Sequence, residues 1–327
     1  MTKMKFRLIL MAGFTLFSCN QLSSQELLTS KKFDAENIDA VEIRGSFADI
    51  WVSDHTGPMV SFDGRIEGPQ RYKGDFEIKS DLDGSTLRIW LERPRNVYGN
   101  IRGKLELKLP SGTKLTASNS SGDVNVKGLT AEDIVLKCSS GDIDARDLKG
   151  NVRLDASSGD ITGTNIKGNV SADASSGDLY FADIDGNLDC ETSSGSIKVK
   201  DVDNTFFTAQ SSSGDIRINN VNGKLRLQSS SGTIGVERIT GSISAESTSG
   251  DIRGTEVRLT GDSNFEASSG DVTFYLLNDV NEMSFDLRSS SGDLKVGNNR
   301  KAEDRLQLKR GGILITGRTT SGDIEFN

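Results

Sequence analysis

Apolar and polar residues alternate along most of this chain. In 151–163, Val152, Leu154, Ala156 and Ser158 fall on one side, and Asn151, Arg153, Asp155 and Ser157 on the other. A period of two is that of a half-buried strand. The register recurs at Leu225, Leu227, Ser229 and Ser231, and again at Ile243, Ala245, Ser247 and Ser249. Each run closes on Ser-Ser-Gly-Asp or a close variant, with glycines at Gly122, Gly141, Gly159, Gly177, Gly195, Gly214, Gly232, Gly250, Gly270, Gly292 and Gly322. The steps are 18 or 19 as far as Gly250, then 20, 22 and 30. A second punctuation at Gly150, Gly168, Gly186, Asn204, Gly223 and Gly241 keeps the same period. Asn204 fits there because Asn, after Gly, best tolerates positive φ.

A constant period of this size marks a solenoid. One repeat offers roughly five inward apolar side chains, too few to fold alone, so neighbouring repeats must stack into one continuous core. The pattern therefore predicts an all-β parallel β-solenoid (β-helix) of about 11 coils over 111–327, a rod of roughly 50 Å at about 4.8 Å per coil. Proline supports the boundary. Pro58, Pro69, Pro94 and Pro110 all precede residue 111, and a residue without an N–H has little place among strands paired on both sides. Trp51 and Trp90 also precede it. Residues 33–110 read as a β-rich N-terminal cap, with alternating runs at 41–44, 50–53, 76–79, 87–91 and 105–109. A cap is needed because an open solenoid end is a bare strand edge. The looser spacing after Gly270 is the irregularity expected of the opposite end.

Composition then makes sense. Only 34% of the 327 residues are hydrophobic and 6% aromatic, beside 35 Gly and 41 Ser. The core is narrow, and Ser and Gly are corners rather than linker. A net charge of -8 disfavours nucleic acid, whose binding relies on cationic groups displacing counterions. A single His rules out a His-rich metal site. At the N-terminus, Lys3, Lys5 and Arg7 precede the apolar run Leu8 to Phe17, which is too short to span a bilayer as a helix. Residues 1–18 thus read as a lipoprotein signal peptide. Leu16-Phe17-Ser18-Cys19 resembles a bacterial lipobox, with Cys19 as the lipidated residue and the membrane as its partner. Phe17 is larger than the residue usual there, and an ordinary secretory signal is the alternative. Residues 19–32 read as a tether.

Candidate chemistry is sparse. Asp follows the corner Gly at nine of the eleven corners; Ser196 and Thr233 fill the others. Asp123, Asp142, Asp160 and Asp178 could form a calcium ladder. A carboxylate accepting backbone N–H bonds within the turn explains the row better, because a turn tolerates Ser and Thr where a metal ligand would not. No metal site is therefore expected. The serines read as small corner residues whose hydroxyls bond to one another or to the backbone. His55 sits in a turn-like segment of the cap, far from the serines of the corner ladder. Cys138 and Cys190 both point inward but lie three coils apart, roughly 14 Å against the 7 Å a disulfide allows, so two buried free thiols are expected. Tyr180-Phe181, Phe206-Phe207 and Phe274-Tyr275 read as core filling, with a sugar-stacking surface as the alternative. No catalytic residue and no cofactor are assigned.

The recurrent Ser-Ser-Gly-Asp-Ile, the lead-in Lys104-Leu105-Glu106-Leu107-Lys108-Leu109-Pro110 and the closing Gly322-Asp323-Ile324 resemble the bacterial putative-adhesin family of β-strand-repeat proteins, a family of unknown function. The lipobox-like segment resembles that of Bacteroidetes lipoproteins. The resemblance covers 40–327 and implies a right-handed β-solenoid in the cell envelope. The resulting expectation is a noncatalytic, lipid-anchored adhesin at the outer membrane or cell surface, with a surface glycan or an envelope protein as partner. A carbohydrate-active enzyme on a β-helix and a periplasmic scaffold or sensor are the alternatives.

Overall fold

The computed structural model describes residues 25–301 and 304–327. Over these residues the chain is all-β, with single 3-10 turns at Gln70–Tyr72 and Val280–Glu282. The period of the sequence is the period of the pairing. On the strands running into each corner, Val152 lies opposite Val170, and Val170 opposite Leu188, all in parallel register. On the strands leaving each corner, Ile143, Ile161, Leu179, Ile197, Ile216, Ile234 and Ile252 follow one another in one line. We call these the pre-corner and post-corner faces. Their inward rows meet in a continuous aliphatic core, solenoid-like in build. Every residue of the Ile line is essentially sealed from solvent, a contribution of about 1.5–3 kcal/mol for each side chain.

Rows need not be uniform, only complementary. Gly163 faces Phe181 in the next coil, and a Cβ on Gly163 would lie 2.4 Å from that ring. Gly254 makes the same room for Phe274, at 2.2 Å. Of the three aromatic pairs, Phe181, Phe207 and Phe274 are fully buried, whereas Phe206 and Tyr275 are exposed. Alternation stops before the corner: Ala156, Ser229 and Ser247 point inward, but Ser158, Ser231 and Ser249 are exposed. The strand has already begun to turn there, so the inward set read from the sequence is one residue too long at each corner.

Chain order and stacking order part company at both ends. Ala40–Arg44 pairs in parallel with both Thr86–Glu92 and Lys114–Asn119, and Asp49–His55 with both Arg102–Pro110 and Val124–Lys127. The coil at 40–55 is thus inserted between those at 86–110 and 114–127. The parallel ladders consequently continue through residue 110 into the region read as a cap. At the other end Leu314–Thr319 lies between Ser263–Ala267 and Ser284–Ser289, and Ile324–Phe326 lies between Val272–Leu276 and Leu294–Val296. The last corners therefore stack as Gly270, Gly322, Gly292.

Antiparallel strands cover what is left. Glu77–Asp83 pairs with Thr86–Glu92, and Val60–Pro69 with Arg102–Pro110. Gln25–Ala35 then pairs with Val60–Pro69. Residues 25–32, read as tether, are therefore strand, and Leu28 is buried in it. At the far end Arg305–Leu308 covers Ser284–Ser289, and Asn299–Lys301 covers Leu294–Val296. Residues 1–24, which include the stretch read as a signal peptide and Cys19, lie outside the described residues, as does the side chain of Asn204.

Candidate functional site

The corner is the most repeated chemical unit of the chain, and its hydrogen bonds can be followed group by group. Ser157 and Ser158 donate their backbone N–H to the carbonyls of Cys138 and Ser139 in the preceding coil, at 3.0 and 2.9 Å. The Gly N–H is satisfied from inside. Thr192 Oγ1 accepts from Gly195 N at 3.1 Å and donates to the Gly177 carbonyl at 3.2 Å; Ser211 does the same for Gly214 and Gly195 at 2.8 and 3.1 Å. Cys138 occupies the equivalent position, its Sγ accepting from Gly141 N at 3.2 Å and donating to the Gly122 carbonyl at 3.3 Å. A buried hydroxyl or thiol therefore ties each such turn to the coil before it, as buried polar groups require.

The corner glycines answer a different need. A Cβ on Gly177 would lie 1.9 Å from the Gly159 carbonyl oxygen, so the backbones stack too closely for any side chain. Positive φ belongs to Gly150, Gly168, Gly186 and Gly223 of the second punctuation and to a further row at Asp147, Asn165, Asp183, Asp201, Asn220, Arg238 and Glu256, with φ of 52–56°. That row keeps the 18–19 spacing and was missed from the sequence. Its signal was available, since five of its seven residues are the Asn or Asp that best tolerate this region.

The Asp row bonds across coils and not within its own turn. Asp123 Oδ1 accepts the N–H of Asp142 at 3.0 Å, Asp142 that of Asp160 at 2.9 Å, Asp160 that of Asp178 at 2.8 Å, and Asp178 that of Ser196 at 2.8 Å. Asp215 and Asp251 do the same for Thr233 and Asp271, each at 2.9 Å. Ser and Thr are tolerated because they still supply the N–H. The remaining oxygens of Asp215 and Asp251 pair with Arg217 and Arg253 at 2.7 and 2.6 Å. Asp49 belongs to the same row, accepting from Asp123 N at 3.1 Å. It was missed because its corner lacks Ser-Ser-Gly, although Asp49-Ile50 repeats the Asp-Ile that opens other post-corner strands. Among the described residues no group of three His, Cys, Asp or Glu is placed to hold a metal.

The outward faces differ in charge. The pre-corner rim carries Asp155, Asp173 and Glu191 in adjacent coils. Burial pushes the Asp173 carboxyl up, and the neighbouring Asp155, Glu191 and Asp189 add to this. Arg153 bridges Asp155 and Asp173 at 3.1 and 3.3 Å. On the post-corner face the outward line runs Asn125, Asp144, Thr162, Tyr180, Lys198, Arg217, Gly235 and Arg253, and is basic from Lys198 onward. His55 ends a strand opposite Pro110. Cys138 and Cys190 are both free and buried; burial raises both thiols, Cys190 strongly, which keeps them protonated and unreactive.

Parallel ladders joined by bonded corners define a repetitive all-β protein of solenoid-like build. Two overlapping stretches, 41–169 and 165–327, match the family described as Toastrack DUF4097, and the chain belongs to that family. Similar solved structures include a "putative adhesin" from Bacteroides fragilis, with 12% identity, 93% of this chain and 99% of that one covered, and a TM-score of 0.31. A "putative lipid binding protein" from Parabacteroides distasonis shares 14% identity over 94% and 98% of the two chains, with a TM-score of 0.31. A "putative cell adhesion protein" from Clostridium sporogenes shares 10% identity over 92% and 99%, with a TM-score of 0.23. Superposition this low stops short of function. No curated protein matches the chain. Among the described residues no helix is long and apolar enough to cross a membrane.

Proposed function

We propose that this chain is a noncatalytic, lipid-anchored protein of the cell envelope that acts as an adhesin, presenting the outward faces of a right-handed β-solenoid of about eleven coils to a surface glycan or an envelope protein. One observation carries the reading. Outward positions are held in register from coil to coil, so that Asn125, Asp144, Thr162, Tyr180 and Lys198 occupy a single line. Such a surface is a ruled lattice suited to an extended ligand, whereas catalysis needs a few groups converging on one point. The carboxylates of the Asp row are committed to backbone N–H groups, and the two described thiols are sealed in the core. The basic and apolar start of the sequence, closing at Cys19, supports export and attachment through several acyl chains, since one chain alone anchors poorly.

Attachment and display are tested together. Wild-type cells should incorporate labelled palmitate into the protein and lose it to protease added outside intact cells, while Cys19→Ser should abolish labelling and release the protein from membranes. Purified protein should bind envelope fractions. Labelling that survives the substitution would sink the anchor. Full protection from protease in intact cells would move the protein to the periplasm and favour the scaffold.

A further inference from the structure

The post-corner face changes character between Tyr180 and Arg253. The Asp row is interrupted at Ser196 and Thr233, and two residues beyond these breaks stand Lys198 and Gly235, both on the outward line. Lys198 therefore neighbours a hydroxyl where Arg217 and Arg253 neighbour carboxylates at 2.7 and 2.6 Å. Gly235 lies directly between Arg217 and Arg253. A Cβ there would meet nothing nearer than the Ile216 carbonyl oxygen at 4.0 Å, so the space above it is open. Together these features form an open cleft of about 600 Å³. Lys198, Lys200, Arg217 and Arg253 line it, against one carboxylate, Glu237, which already accepts from Asn219 at 2.9 Å and pairs with Arg238. Tyr180 closes one end, with the Lys200 ammonium 5.9 Å from its ring centroid.

We propose that this cleft binds a linear anionic polysaccharide, its carboxylate or sulfate groups on Arg217 and Arg253 and a sugar face against Tyr180. This names a ligand class for the adhesive surface proposed above and rests on that reading. The four cations around the cleft outnumber Glu237 in its lining and Asp215 and Asp251 beside the two arginines by one, a local positive balance on a chain of net charge -8. Guanidinium forks suit the paired oxygens of carboxylate and sulfate, and Arg217 and Arg253 stand two coils apart, about 10 Å, with a floor between them bare of side chain. An aromatic ring beside them suits the apolar face of a sugar. Asp178, Asp215 and Asp251 run along the corner side of the same strands and bound the cationic strip on that side.

The full chain would be titrated calorimetrically with polygalacturonate, heparin and neutral dextran at low salt. At least one anionic polymer should bind, and dextran should not. Arg217→Gln with Arg253→Gln, and separately Gly235→Trp, which fills the cleft without altering charge, should each weaken binding at least tenfold. Lys127→Glu, on the same face outside the cleft, should leave it unchanged, and circular dichroism should show every variant folded. The cleft proposal falls if the folded Gly235→Trp and double-Gln variants bind like wild type, or if wild type binds neither anionic polymer. It also falls if anionic phospholipid vesicles bind and the polymers do not. Envelope fractions scored alongside separate the two readings: retained envelope binding without polymer binding removes only the cleft, and loss of both removes the adhesive surface as well.

Discussion

Between Gly122 and Gly270 the chain advances one coil at a time; at its two ends it does not. In the middle each strand pairs with the strand one repeat later, and an 18-residue step fixes the row every residue occupies. At the ends the partner is chosen over a longer distance, as where Asp323 N donates to Asp271 Oδ1 across 52 residues. The middle is filled mainly by aliphatic rows with occasional rings such as Phe181 and Phe207. The C-terminal end gathers Phe265, Phe274, Phe285 and Phe326, with centroid separations of 4.4–5.7 Å. Uniform stacking is enough where a coil has two neighbours. An end coil has one, and wider side chains and antiparallel strands supply what the missing neighbour would have given.

The sharpest way to break this contrast is to shorten the chain. Removing residues 314–327 deletes an inserted coil and not the outermost one, with the buried Ile315, Ile324 and Phe326. At about 1.5–3 kcal/mol for each side chain, the loss is roughly 5–9 kcal/mol. The shortened chain should precipitate or bind a hydrophobic dye, whereas a chain that melts cooperatively near the wild-type temperature would refute the insertion. Within the middle, Gly177→Ala places a Cβ 1.9 Å from the Gly159 carbonyl oxygen and should cost about 3 kcal/mol, read by urea denaturation. Gly84→Ala, where a Cβ would meet nothing within 4 Å but φ is +62°, should cost only about 1–2 kcal/mol.

The smallest effect is in pH, and its sign differs between the regions. In the end structures Asp63 and Asp286 are held below the ordinary carboxylate range, chiefly by hydrogen bonds from Arg65 and Arg305. Their contribution is present above the unfolded pKa and is lost as pH falls through the depressed folded value. Asp173, in the middle, is raised by burial and by neighbouring carboxylates. Its ionised form opposes folding at neutral pH, and that opposition fades as pH falls through its raised value. Hydrogen-exchange protection, taken relative to the unfolded chain at each pH, should therefore rise first around Val170–Ala174 as the pH falls and drop later at Val60–Pro69 and Arg305–Leu308. A uniform response of all three segments would erase the distinction.

The sequence made the middle legible because its information there is local. The glycine period placed the corners, and the alternation in Val152-Arg153-Leu154 placed the inward face. Cys138 and Cys190 were correctly read as buried and unpaired from their positions in the coil. The ends were hidden because pairing order leaves no local mark: nothing in Leu314-Ile315-Thr316 says that its neighbour is Ser263–Ala267 as well as Ser284–Ser289. The cleft stayed hidden for a related reason. Ser196 and Thr233 looked like tolerated exceptions in one row, and only the register shows that Lys198 and Gly235 lie beside them in the next.

The insertion at the C-terminal end also imposes a schedule. A polypeptide is delivered from its N-terminus, yet residues 314–326, delivered after 284–296, belong inside the stack beneath that earlier coil. That coil has no finished surface to settle on until Ile324, Glu325 and Phe326 arrive. A chain released before residue 314 is thus left with its lid and no seat for it.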